Sequence, residues 1–186
     1  MSQALLTVGH GTSSELALSE LLNGANVAAV VDVRTVPKSL RHPQFRRDEM
    51  ERWLPEAAIA YRWEPALGGF RKPRPDSANV ALRNLSFRGY ADYMETPQFQ
   101  SALQSLLSQA GESRTAALCS ESLWWRCHRR LISDVATLVY EVEVLHVMHD
   151  GKLRPHVVTE GARLVGDRLR YDYDVRLELD VQREPS

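Results

Sequence analysis

Apolar residues recur along this chain in two alternating rhythms. Short, nearly unbroken apolar runs suited to buried strands are followed by stretches in which apolar residues fall at helical spacing. Leu5-Leu6-Thr7-Val8 is the first run, and it stops at Gly9-His10-Gly11. Thr12-Ser13-Ser14-Glu15 then reads as a capping box that opens a helix through Leu16, Leu18, Leu21 and Leu22, with Gly24 as its stop. Val27 to Val33 is a continuous run of the kind buried on both faces of a parallel sheet.

After Arg34 the regularity fades. Residues 35–46 hold Pro37 and Pro43 among basic residues and read as a long loop, followed by a short helix from Asp48 to Leu54. Ile59 to Trp63 alternates as a strand and runs into Leu67-Gly68-Gly69, and Phe70 to Arg83 is a second irregular stretch rich in Pro, Arg and Lys. Loops this long inside one domain are usually functional or mobile. Arg88 to Met94 is a short helix. Thr96-Pro97 caps the next, which runs from Gln98 to Ala110 on a stripe of Phe99, Leu103, Leu106 and Leu107. Thr115 to Cys119 is a buried strand, Trp125 to Tyr140 a helix, and Val142 to Val147 a final strand. Gly166-Asp167 centres a closing hairpin within 164–171.

Strands alternating with helices predict an α/β fold: a three-layer Rossmann-like sandwich with a mostly parallel five-stranded sheet, plus a small C-terminal hairpin. The 186 residues suit a single domain over 1–186. Right-handed crossovers bring the C-terminal ends of parallel strands to one edge, where such folds bind ligands. The first strand delivers His10 between Gly9 and Gly11, the second Asp32 and Arg34, and the fourth Cys119 and Glu121.

Charge sharpens this reading. The net charge of −1 conceals a region, residues 34–90, with ten arginines and two lysines against six acids. Either a nucleotide-composition bias favouring arginine or recognition of phosphate and carboxylate explains the excess. No apolar run reaches the ~18 residues of a membrane span, and Met1-Ser2-Gln3-Ala4 has no basic leader, so a cytoplasmic setting without membrane contact is expected.

Cys119 and Cys127 are the only cysteines. Cys127 and His128, near a helix start beside Arg126 and Arg129, are placed where dipole and guanidinium charge stabilise a thiolate or a bound anion. Cys119 reads equally as a buried small hydrophobe. The seven-residue gap between the cysteines is not a usual zinc spacing, and there is no Cys-x-x-Cys, so no metal is assigned. His146, His149 and His156 read as strand-end and loop residues. The first loop is neither a dinucleotide Gly-x-Gly-x-x-Gly nor a Walker loop, and no cofactor is assigned. Trp124 and Trp125 cannot both face one core, so one of them is a candidate to stack on a flat ligand.

The motifs Thr7-Val-Gly-His-Gly-Thr12, Val31-Asp-Val-Arg34 with Pro37, Pro43-Gln-Phe45 and Leu67-Gly-Gly69 resemble the domain of unknown function 488 family. So do Arg88-Gly-Tyr-Ala-Asp-Tyr-Met94, Cys119-x-Glu121 with Trp125-Arg-Cys-His-Arg129, and Val144-Leu-His146 with Asp150-Gly151. The resemblance spans residues 5 to 157 and leaves 158–186 as an extension. Gly11 departs from it, standing where the family more often has Ser. It implies a compact α/β domain of bacterial and archaeal cytoplasm and brings no activity with it.

The leading expectation is an enzyme acting on a nucleotide or nucleic-acid-related substrate. Glu121, Cys119 and His10 are its catalytic candidates. Gly9, Gly11, Asp32, Arg34, Arg88, Tyr90, Tyr93, Trp125, Arg126, Cys127, His128 and Arg129 are its ligand-binding candidates. The alternatives are a nucleic-acid or anion-binding module using the basic loops of residues 35–90, and thiol-redox or metal sensing through Cys119 and Cys127.

Overall fold

The computed structural model describes residues 4–172. Strands β1 (Leu5–Gly9), β2 (Ala29–Asp32), β3 (Ala60–Trp63), β4 (Thr115–Cys119) and β5 (Val144–Val147) lie parallel in the order β3-β2-β4-β1-β5. A sixth strand, β6 (Leu153–Pro155), pairs antiparallel with β5, so the sheet has one strand more than its periodicity predicts. All three β6 residues are exposed and carry no apolar alternation, and Pro155 is acceptable there because the strand forms the sheet edge. The expected hairpin forms as β7 (Ala162–Val165) and β8 (Arg168–Tyr171).

Side-chain alternation builds two cores. Leu6, Val8, Val30, Ala116 and Leu118 face helices α1 (Glu15–Gly24) and α2 (Arg47–Glu56). Leu5, Val31, Ala117 and Cys119 face α3 (Leu85–Tyr93), α4 (Pro97–Glu112) and α5 (Arg129–Leu138). The chain leaves β1 over the first face toward β2 and leaves β4 over the opposite face toward β5. The carboxyl ends of β1 and β4 therefore border the crevice where the winding reverses.

Several boundaries move from their expected places. Ser14, not Thr12, caps α1 by accepting the Ala17 N–H, so the anticipated capping box is not formed. Thr96 caps α4 as expected, with Pro97 in the first turn. The helix expected from Trp125 starts only at Arg129. Trp124–Arg126 is a separate 3₁₀ turn, and the break lets Cys127 turn into the core while His128 reaches across to Val33.

Gly89 shows how closely the loop 70–74 is held. A methyl group there would lie 2.4 Å from the Arg71 carbonyl oxygen and 2.6 Å from Pro73 N, both backbone atoms. Gly111, near the end of α4, has nothing within 4 Å. In urea titrations Gly111→Ala should stabilise by about 0.5–1 kcal/mol through helix propensity. Gly89→Ala should instead destabilise by about 1–3 kcal/mol through overpacking. Equal stabilisation by both would show that the loop is not held against α3.

Candidate functional site

A cavity of 550 Å³ opens at the C-terminal edge of the sheet, above the ends of β1, β2 and β4. Its wall at β1 is His10 and Gly11. The register pairs Gly9 with Cys119, and the pairing continues past the strands as His10 N–H donates to Cys119 O and Gly11 N–H to Ser120 O. Gly9 has no room for a side chain, since a Cβ would fall 1.9 Å from the Glu121 carbonyl oxygen. Gly11 stands at φ +53° with Ser122 Oγ only 2.2 Å from where its Cβ would be.

His10 is buried and fully engaged. Its Nδ1 lies 2.9 Å from Gly11 O, which can only accept, so this nitrogen carries the proton. Nε2 then accepts from Arg34 Nη1 at 3.2 Å, and the ring stacks on Phe45 at 4.1 Å. Burial and the Arg34 charge hold its pKa at about 4. A neutral ring with both nitrogens occupied is a wall, not a free base.

Arg34 is likewise spoken for. Asp32 accepts from its Nε at 2.8 Å and its Nη2 at 2.6 Å, and Phe45 O accepts from Nη1 at 2.8 Å. Tyr61 donates to the same Asp32 carboxylate at 2.8 Å. Of the predicted ligand-binding residues, Arg34, Gly11, Tyr90, Arg126, Cys127 and His128 line the cavity, as do the predicted catalytic residues Cys119, Glu121 and His10. Gly9, Asp32 and Arg129 support the wall from behind. Arg88, Tyr93 and Trp125 do not line it. Arg88 donates to the carbonyls of Leu82 and Val80, Tyr93 donates to Ala66 O, and Trp125 is 44% exposed at the edge of Trp124.

The floor is a sulfur–imidazole cluster. His128 Nδ1 lies 3.7 Å from Cys127 Sγ and 4.0 Å from Cys119 Sγ, while its Nε2 lies 3.0 Å from Val33 O. That carbonyl only accepts, so Nε2 bears the proton and Nδ1 faces the sulfurs. Arg129, 1% exposed, donates Nε–H to Cys127 Sγ at 3.3 Å and Nη2–H to Glu121 O. Burial alone would raise the Cys127 thiol, but the Cys119 hydrogen bond, the Arg129 charge and the Arg129 N–H groups hold it at about 6. Cys119 is pushed up to about 12 by that same hydrogen bond and by burial. Glu121 is exposed, and its Oε1 accepts the Leu123 N–H, closing the turn that follows β4.

The mouth contains what the pattern of the sequence did not single out. Phe70 is 91% exposed and sits at φ +59°, a conformation costly for a bulky residue. Lys38, Ser39, His42 and Phe87 share the lining with it. Phe70 directly follows Gly68-Gly69 in a basic loop, the one signal that set it apart from core aromatics.

Behind the cavity runs a buried polar chain. Thr7 Oγ1 lies 2.6 Å from His146 Nδ1, His146 Nε2 3.0 Å from His156 Nδ1, and His156 Nε2 2.8 Å from Asp134 Oδ1. Tyr171 donates to the other Asp134 oxygen at 2.9 Å, and Trp124 stacks on His146 at 4.1 Å. The histidines predicted as strand-end and loop residues thus tie β1, β5, α5 and the hairpin together.

The fold and site define an α/β protein with a mostly parallel sheet and a cavity at the point of winding reversal. Residues 15–136, about two thirds of the chain, match the model of the family described as Domain of unknown function DUF488, and the chain belongs to that family. No curated protein and no solved structure matches it. No helix of the described residues is long and apolar enough to cross a membrane.

Proposed function

We propose that this protein is an enzyme acting on a small phosphorylated substrate of nucleotide size, bound in the cavity with its reacting atoms against Cys119, Cys127 and His128. One observation carries the reading: an exposed aromatic held at positive φ stands at the mouth of a cavity that has a buried sulfur–imidazole floor. The volume lies within the range of small-molecule sites. Phe70 offers a stacking face for a base, while Lys38 and Arg126 offer cationic groups that have no carboxylate partner among the described residues.

The basic loops themselves fit a nucleic-acid track less well. Arg46 pairs with Asp48, Arg47 with Glu51 and Arg74 with Glu95, and Arg71 lies 3.7 Å over the Tyr93 ring. Several of the loop arginines are thus engaged within the fold.

Calorimetry against matched nucleosides and nucleoside monophosphates tests this reading. The phosphorylated forms should bind at least tenfold more tightly. Lys38→Ala with Arg126→Ala should erase that difference, and Phe70→Ala should weaken both classes about tenfold, the lower part of the range for a lost stacking partner. Cys127→Ser should bind but not turn over any substrate found. Equal affinity for nucleoside and nucleotide, or binding that ignores Phe70, would refute the assignment.

A further inference from the structure

Three donor atoms from two separate segments converge on the cavity floor. Cys119 Sγ comes from the end of β4, and Cys127 Sγ and His128 Nδ1 come from the entry to α5. All three lie within 4.8 Å of one another, with sulfur–nitrogen separations of 3.7 and 4.0 Å. Zinc bonds of about 2.3 Å to sulfur and about 2.0–2.1 Å to nitrogen give tetrahedral edges of about 3.8 Å between sulfurs and about 3.5 Å between sulfur and nitrogen. The two sulfur–nitrogen edges are therefore met within about half an ångström. We infer that Cys119, Cys127 and His128 bind one Zn²⁺ ion through Sγ, Sγ and Nδ1, with the fourth tetrahedral position open to the cavity.

Two independent features support the ion. First, His128 Nε2 is tied to Val33 O at 3.0 Å, which fixes the tautomer that leaves Nδ1 as a lone-pair donor. This is the outer-shell arrangement that orients metal-bound histidines. Second, Arg129 is buried, has no carboxylate partner among the described residues, and donates to Cys127 Sγ at 3.3 Å. A guanidinium so placed calls for negative charge on that sulfur, and a metal-bound thiolate supplies it permanently.

Soft, borderline donors of this set select zinc over magnesium or calcium, which take oxygen ligands. Three protein ligands with a fourth position facing a cavity describe a reactive zinc rather than a closed structural one. The fourth ligand is water in the free protein. That position faces the substrate held as proposed above, and only this last statement rests on that reading.

The test uses the full chain in its reduced form, without substrate. Protein purified without chelators should carry one zinc per chain by plasma mass spectrometry. After chelation, added Co²⁺ should produce the visible bands and near-ultraviolet thiolate charge-transfer band of a tetrahedral site. X-ray absorption of the zinc form should return two sulfurs and two lighter atoms. Cys119→Ser, Cys127→Ser and His128→Ala should each lower metal affinity at least tenfold, and His42→Ala should retain it, with folding checked by circular dichroism.

Folded, reduced wild-type protein that retains no zinc and gives no Co²⁺ charge-transfer band overturns the proposal. So does a charge-transfer band that keeps its full intensity in the Cys119→Ser/Cys127→Ser double variant. These measurements need no variant to fold for the wild-type outcome and no substrate. Failure of the metal site leaves the cavity reading standing, and failure of nucleotide binding leaves the metal site standing.

Discussion

Asp32→Ala should destabilise the protein by about 3–5 kcal/mol, the usual consequence of leaving a buried charge without its partner. Asp32 is fully buried and Arg34 is 6% exposed, so neither charge reaches water. The carboxylate receives the Arg34 fork at 2.8 and 2.6 Å, the Arg34 backbone N–H at 3.1 Å and the Tyr61 hydroxyl at 2.8 Å. Alanine removes all four acceptor contacts at once. What remains around the guanidinium is Phe45 O, His10 Nε2 and Met50 Sδ, none of which carries a negative charge.

Total stabilities of domains are about 5–15 kcal/mol, so this single change should bring the chain close to unfolding at ambient temperature. The double variant Asp32→Ala/Arg34→Met should recover most of the loss, because it removes the stranded charge together with its partner. Urea unfolding of the wild type and both variants measures this. A single variant that loses less than about 1 kcal/mol, the scale of exposed pairs, would mean that water reaches the pair.

That same ion pair marks where the sequence was legible and where it was not. The ends of β1, β2 and β4 could be located from unbroken apolar runs that stop at polar residues. Parallel topology then dictates that His10, Arg34 and Cys119 meet. Pattern carries no information on whether a polar side chain is already satisfied. Arg34 looks like a phosphate ligand until Asp32, two residues earlier, proves to hold its fork, and Arg88 looks the same until the Leu82 and Val80 carbonyls claim it.

The floor residues were legible, but their convergence was not. Metal-site spacings presume ligands carried on one turn or hairpin. Here the segment between Cys119 and Cys127 is folded back by the Glu121–Leu123 contact and the 3₁₀ turn at Trp124–Arg126. A seven-residue gap therefore closes to a few ångströms only through tertiary structure. Phe70 reads in the sequence as one more packing aromatic, because exposure and backbone strain are properties of a fold, not of a residue type.

Acidification should unfold the protein well before its surface carboxylates are all protonated, and two buried histidines set the window. Burial and the Arg34 charge hold His10 at about 4, and burial with the His156 and Arg129 charges holds His146 at about 3. An unfolded chain returns both to about 6.5. Both folded values are depressed, so below pH 6.5 the unfolded state binds protons that the folded state refuses. Stability is therefore complete above about pH 6.5 and falls as pH drops through the folded values. Shifts of this size correspond to several kcal/mol between the two sites, a large share of a typical domain's stability.

The geometry explains why neither ring can simply accept its proton. A proton on His10 Nε2 would face Arg34 Nη1 at 3.2 Å, setting donor against donor. On His146, Nε2 and Nδ1 are both committed in the chain from Thr7 to Asp134. A second N–H there would force the Thr7 hydroxyl to reverse while Trp124 stays stacked on the ring. Urea midpoints measured from pH 7.5 down to 4.5 should fall steeply below about 6.5. Ring-proton resonances of His10 and His146 should keep their neutral positions down to the onset of unfolding. Resonances of either residue that titrate near 6.5 in the folded protein would show that its ring accepts the proton freely, and the acid transition would then need another origin.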